Sequence, residues 1–289
     1  MTEPRDLSAG DFRRARLRSL VNLVRSALSG RPRSLLAFDQ VRERLHLGGP
    51  MYRGVRSVPL ARIVGSVDRY RDFDRLFLPT QSHTEDRWRN IQRAWYQDVN
   101  LPPVLLYKVG EAYFVVDGNH RVSVARDNAQ EFIDAEVREV EARVPVTPDL
   151  RPEDLEELGC RVEFLERTQL DRLRPQAQVV PTILGGYDRL LEHICVHRYF
   201  MGLERKGPVS EDAAVTHWYD TLYQPVVAEV EGSDILGEFP GRTATDLYLW
   251  IMDHLHFLRS REGGSEAGPA EAAADFIEAA ESGSLELGD

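Results

Sequence analysis

The stretch Val104-Leu-Leu-Tyr-Lys-Val109-Gly110-Glu111-Ala112-Tyr-Phe-Val-Val-Asp117-Gly118-Asn119-His120-Arg121-Val-Ser123-Val-Ala-Arg126 decides how this chain is read. Two runs rich in β-branched and aromatic residues flank Gly110-Glu111, a two-residue turn with glycine first. Residues 104–109 and 112–117 are therefore predicted to be the strands of a hairpin. Gly118 breaks the second strand, and residues 120–128 follow as a short helix with Val122, Val124 and Ala125 available for packing. Residues 132–137 read as a further strand. The local order is strand, turn, strand, helix, strand.

The chemistry sits where the second strand meets that helix. Unpaired amides and the helix dipole favour an anion at a helix N-terminus, and Gly118 lets the backbone approach one without a Cβ in the way. Arg121 brings a planar fork of donors suited to phosphate or carboxylate. His120 can donate to the same anion or move a proton near neutral pH, and Asp117 can hold a magnesium ion or accept a proton from a substrate hydroxyl. A glycine-led turn capped by Asn or Asp is also an ordinary way to turn a chain, with Arg121 merely solvated.

The segment Asp117-Gly-Asn-His-Arg121, with its hairpin before and strand after, resembles the signature of the ParB/sulfiredoxin superfamily, and the resemblance covers about residues 57–140. It implies an α+β chain. A ParB/sulfiredoxin-like nucleotide-binding domain at 57–140 would lie between a basic N-terminal helical arm (1–56) and a C-terminal α-helical domain (141–260), followed by an acidic, mostly disordered tail (261–289). By position, the nucleotide-binding set is Gly118, Asn119, His120, Arg121 and Ser123. Arg69 and Arg71 would close the site from an earlier segment. Asp117 and His120 carry the catalytic expectation, and Asp117 the metal. The implied ligands are a nucleoside triphosphate, ATP or CTP, and Mg2+. The implied function is triphosphate binding with hydrolysis or phosphoryl transfer. The alternative is a non-enzymatic regulator that contacts DNA or a protein through its basic arm. Asn119 stands where sulfiredoxins carry their reactive cysteine, which removes the thiol that chemistry needs. The acidic segment 187–259 does not look like the DNA-binding domain that normally follows this fold in the ParB branch.

Outward from the motif, apolar residues Phe12, Leu17, Leu20, Val21, Val24 and Leu28 recur at helical spacing among five arginines, predicting a basic amphipathic helix over 10–30. A second helix is expected at 34–45, a strand within 59–67 and a helix at 87–97. After the prolines at 145, 148 and 152 the periodicity is helical: 154–158, 164–173, 187–201, 211–230 with an interruption at Pro225, and 245–259. A weak helix is expected at 270–280 within the tail.

The net charge of −11 over 289 residues is unevenly spread: residues 1–56 carry +7 and the remainder −18. That balance argues against a nucleic-acid partner and for an arm docked on the chain's own acidic body. The longest apolar runs have five and six residues, against about 20 for a membrane span. A cytoplasmic location is the expectation, with Cys160 and Cys195 as free thiols. His193 and His197, one helical turn apart, suit a metal less well than an ordinary helix face. Trp218, Tyr219, Tyr223, Tyr248 and Trp250 suit a core better than a base-stacking surface.

Overall fold

The computed structural model describes residues 4–29, 35–260 and 268–281. It is a mixed α and β chain that divides into two compact units, Met1–Val162 and Glu163–Asp289. The first unit is built on one six-stranded sheet: β1 (Leu36–Ala37), β2 (Met51–Pro59), β3 (Ile63–Ser66), β4 (Val104–Val109), β5 (Ala112–Asp117) and β6 (Phe132–Val140). Their spatial order is β1-β3-β5-β4-β6-β2. The β4–β5 and β2–β6 pairs are antiparallel, whereas β1–β3, β3–β5 and β4–β6 are parallel.

The hairpin forms where its turn chemistry placed it, with Gly110 at φ +55°. Strand alternation then sorts the side chains onto two faces. Leu106 pairs with Val115, and both pack with Val104, Tyr113, Val122 and Ala125 under α4 (Asn119–Asp127). Tyr107 pairs with Phe114, and on the opposite face both rings meet Phe38 at 4.9 and 5.5 Å. Phe38 opens α2 (Phe38–Arg44). The sheet thus carries a helix on each side.

Before them, α1 (Pro4–Ser29) packs on α3 (Glu85–Tyr96), with Phe12 edge-on to Trp88 at a ring separation of 5.7 Å. Arg18 of α1 pairs with Asp127 at the end of α4. The helix turns a different face inward from the one expected. Phe12 and Ala15 are buried, whereas Leu17, Leu20 and Val21 are exposed. Val24 and Leu28 of the same stripe, and Ser34 of the second helix, lie outside the residues described in this detail.

The arm also does not stay helical to residue 56. β1 and most of β2 fall within it and belong to the sheet. β2 lies at the sheet's edge with most of its side chains exposed, and its register shifts between Tyr52 and Val55 around Gly54, φ +84°. An exposed, bulged, arginine-bearing edge strand has no apolar alternation to read.

The second unit begins within α5 (Asp154–Thr168) and continues with α6 (Leu170–Leu173), α7 (Gly186–Arg205), α8 (Glu211–Trp218), α9 (Gln224–Gly232), α10 (Ala244–Ser260) and α11 (Pro269–Glu281). A π-helical stretch, Tyr219–Tyr223, joins α8 to α9 ahead of Pro225. Trp218, Tyr219, Tyr223 and Tyr248 are core residues, and Trp250 packs on Phe239. α11 falls where a weak helix was expected within the tail. Its Ala272, Ala273 and Phe276 are buried in the same core, so packing stabilises a segment whose composition alone would not. Residues 261–267 and 282–289 lie outside the described residues.

Candidate functional site

Gly118 turns the chain from β5 into α4 with φ +104°, a conformation that costs an L-residue strain. A Cβ there would lie 2.5 Å from Val104 Cγ1, so glycine is required twice over. The turn delivers Asn119 and His120 into the protein, with 6% and 7% exposure. Asn119 Oδ1 and both ring nitrogens of His120 are buried and have no hydrogen-bond partner. Buried polar atoms are rarely left so. These three sit in the first turn of a helix, whose amides have no intrahelical acceptor.

The loop after β3 supplies the surroundings. Ser66 Oγ donates to the Val115 carbonyl and accepts from the Arg69 amide, which anchors the loop to the sheet. The Arg69 guanidinium donates to Asp72 Oδ2 at 3.1 Å, and His83 Nε2 lies 3.5 Å from the same oxygen. Phe73 presents its ring to His120 edge-on at 5.3 Å. Burial, followed by the charges of Arg69 and Arg87, pushes the His120 imidazole down to about 4, with Asp72 opposing. His120 is therefore neutral at pH 7, with one nitrogen donating and the other accepting.

The remaining motif residues are engaged elsewhere. Arg121 donates to the Pro102 and Pro103 carbonyls and to Asp117 Oδ2, the last at 2.6 Å. Its fork clamps the approach to β4, and Asp117 is exposed beside it. Ser123 is buried, and its hydroxyl accepts the Trp88 indole N–H at 3.0 Å, which gives it a positioning role. Arg71 is exposed, with its guanidinium 5.5 Å from the Tyr70 ring centre. The Arg69 charge thus acts on His120, whereas Arg71 is exposed beside Tyr70.

For magnesium the donor set does not fit. Asp117 is the only carboxylate of the motif and already faces a guanidinium. Among the described residues no three His, Cys, Asp or Glu side chains converge. His193 bonds Tyr248, whereas His197 Nε2 meets His217 Nδ1 at 2.8 Å, so the helical-turn pair does not share a ligand. Cys160 and Cys195 are exposed and not joined in a disulfide, and no described helix is long and apolar enough to cross a membrane.

Sequence reasoning missed Asp72, Phe73, His83 and Arg87. The available signal was the polar run Ser82-His-Thr-Glu-Asp-Arg87 before Trp88, a second helix N-terminus whose proximity to the first is a tertiary fact.

No family model and no curated protein matches the chain. Among solved structures it is similar to the C-terminally truncated chromosome-partitioning protein ParB from Caulobacter crescentus, complexed with CTP-γ-S. The identity is 15%, over 78% of this chain and 99% of that one, with a TM-score of 0.24. At that score the site is read from its own residues.

Proposed function

We propose that the N-terminus of α4 binds a nucleoside triphosphate, ATP or CTP. The phosphates would lie against the first-turn amides and His120, within the field of Arg69 and Arg87. The observation that carries this reading is the set of orphaned atoms. Neutral His120 offers one donor and one acceptor, and Asn119 Oδ1 offers an acceptor that no unprotonated phosphate oxygen can satisfy. A ligand that answers all three carries an anion together with hydroxyl or amino donors, as a nucleotide does.

A sensing role is favoured over proton-transfer catalysis. An imidazole held near 4 is a poor proton acceptor at pH 7, and Asp117 is ion-paired. The regulator alternative gains no support from the arm, because α1 packs on its own unit through Phe12 and Arg18.

The test is a thermal-shift panel of ATP, CTP, GTP and UTP beside inorganic triphosphate. At 100 times the dissociation constant a bound ligand adds about 2.7 kcal/mol of stability. At least one nucleotide is expected to stabilise the protein more than triphosphate does. A flat panel, or triphosphate equal to every nucleotide, contradicts the reading.

A further inference from the structure

The first unit contains a second cleft, separate from the residues around His120. It has a volume of about 820 Å3 and is lined by α1, the turn after β2, β3, the loop at 75–78 and the end of α4. That size is typical of small-ligand sites. Its walls are apolar: Leu60, Ile63, Val64 and Leu78 lie at the base. At the rim, Leu17, Val21 and Leu76 remain 62%, 45% and 51% exposed. Its polar lining is otherwise cationic. Arg18, Arg75 and Arg126 face it with Gln130, and no lining residue is acidic.

Two of these arginines are fixed in an unusual way. Arg126 donates to the carbonyls of Arg75, Leu60 and Ile63, and its guanidinium lies 4.9 Å from the Phe77 ring centre. Arg75 donates to the carbonyls of Val64, Pro148 and Leu150. Each fork therefore spends three of its five N–H groups on neutral acceptors, which orient the guanidinium without cancelling its charge. Asp74 and Asp149 lie near enough to act on Arg126 and Arg75 through space, but neither accepts a hydrogen bond from them. Asp74 takes the amides of Leu76 and Leu78, and burial pushes its carboxyl up.

We propose that this cleft binds a single-chain carboxylate of the fatty-acid class, its alkyl chain between Leu17, Val21, Val64 and Leu76 and its head group on the Arg75 and Arg126 forks. The charge complementarity selects the head group. Two pre-oriented guanidinium groups match the planar carboxylate, and an apolar channel of this volume answers only the tail. Nothing in this assignment depends on the nucleotide reading.

The test is calorimetric titration of the full chain with decanoate, 1-decanol and decyltrimethylammonium, each below its aggregation concentration. Decanoate is expected to bind about tenfold or more tightly than decanol, the lower end for a charge-assisted hydrogen bond, and the cation not at all. Ala61→Trp and Leu76→Asp alter exposed rim positions, so both should melt as the wild type does while decanoate affinity falls at least tenfold. Equal affinity for decanol and decanoate, binding of the cation, no binding of decanoate, or wild-type affinity in both folded variants would each overturn the proposal.

Discussion

The Trp88 indole donates to Ser123 Oγ at 3.0 Å, joining two fully buried side chains 35 positions apart in sequence. This bond ties α3 to α4 one turn beyond His120, and Gln92 and Asn128 repeat the tie through a reciprocal amide pair. The helix that presents the orphaned atoms is thus held by its neighbour as well as by the sheet.

Ser123→Ala leaves the Trp88 N–H buried without an acceptor and is expected to cost about 1–3 kcal/mol. Urea unfolding would measure it. A loss under ~0.5 kcal/mol, the scatter of ordinary surface changes, would mean that the bond does not position α4.

At Gly118 a methyl group meets both an unfavourable φ and the Val104 side chain. Gly118→Ala should destabilise by roughly 2–6 kcal/mol, the sum of backbone strain and overpacking. Adding Val104→Ala relieves the steric part alone. A double variant less stable by the full sum of the two single losses would argue that the crowding is not real.

Half of what matters at this turn was legible in sequence. Gly110 and Gly118 announced the hairpin and the break because each performs a local, glycine-specific task. The partners of Arg121 were not legible: a guanidinium beside a helix N-terminus suits an anion, and here the Pro102 and Pro103 carbonyls and Asp117 take its fork. Arg69 and Arg87, which set the field at His120, come from segments 51 and 33 residues away, and no local pattern reports such proximity. β2 escaped notice because exposed edge residues carry no burial signal.

Charge variants separate the two arginine groups. Arg69→Ala and Arg87→Ala combined should weaken nucleotide binding by about tenfold or more while the protein stays folded. Arg121→Ala should lower stability as well, since it frees two carbonyls at the start of β4. Asp117→Asn, on an exposed pair, should change stability by less than ~1 kcal/mol. Titration of each variant beside its melting curve gives both quantities. Unchanged affinity in the Arg69/Arg87 variant would remove these residues from the site.

Stability should depend on pH through His120. Its ring is depressed from 6.5 to about 4 in the folded chain, so the unfolded state binds more protons between those values. The contribution of the neutral ring is complete above pH 6.5, declines as pH falls through the window and is gone below about 4. Urea midpoints at pH 7 and pH 5 should therefore fall further for the wild type than for His120→Gln. Equal falls would place the ring in contact with solvent.

The most direct measurement is the titration of the His120 ring by NMR, with and without ATP or CTP. The expected midpoint is near 4 in the free protein and moves upward when nucleotide is present, because a phosphate against the ring stabilises the imidazolium. A midpoint near 6.5 in the free protein, or one that nucleotide leaves unmoved, would contradict the claim that His120 faces the phosphates.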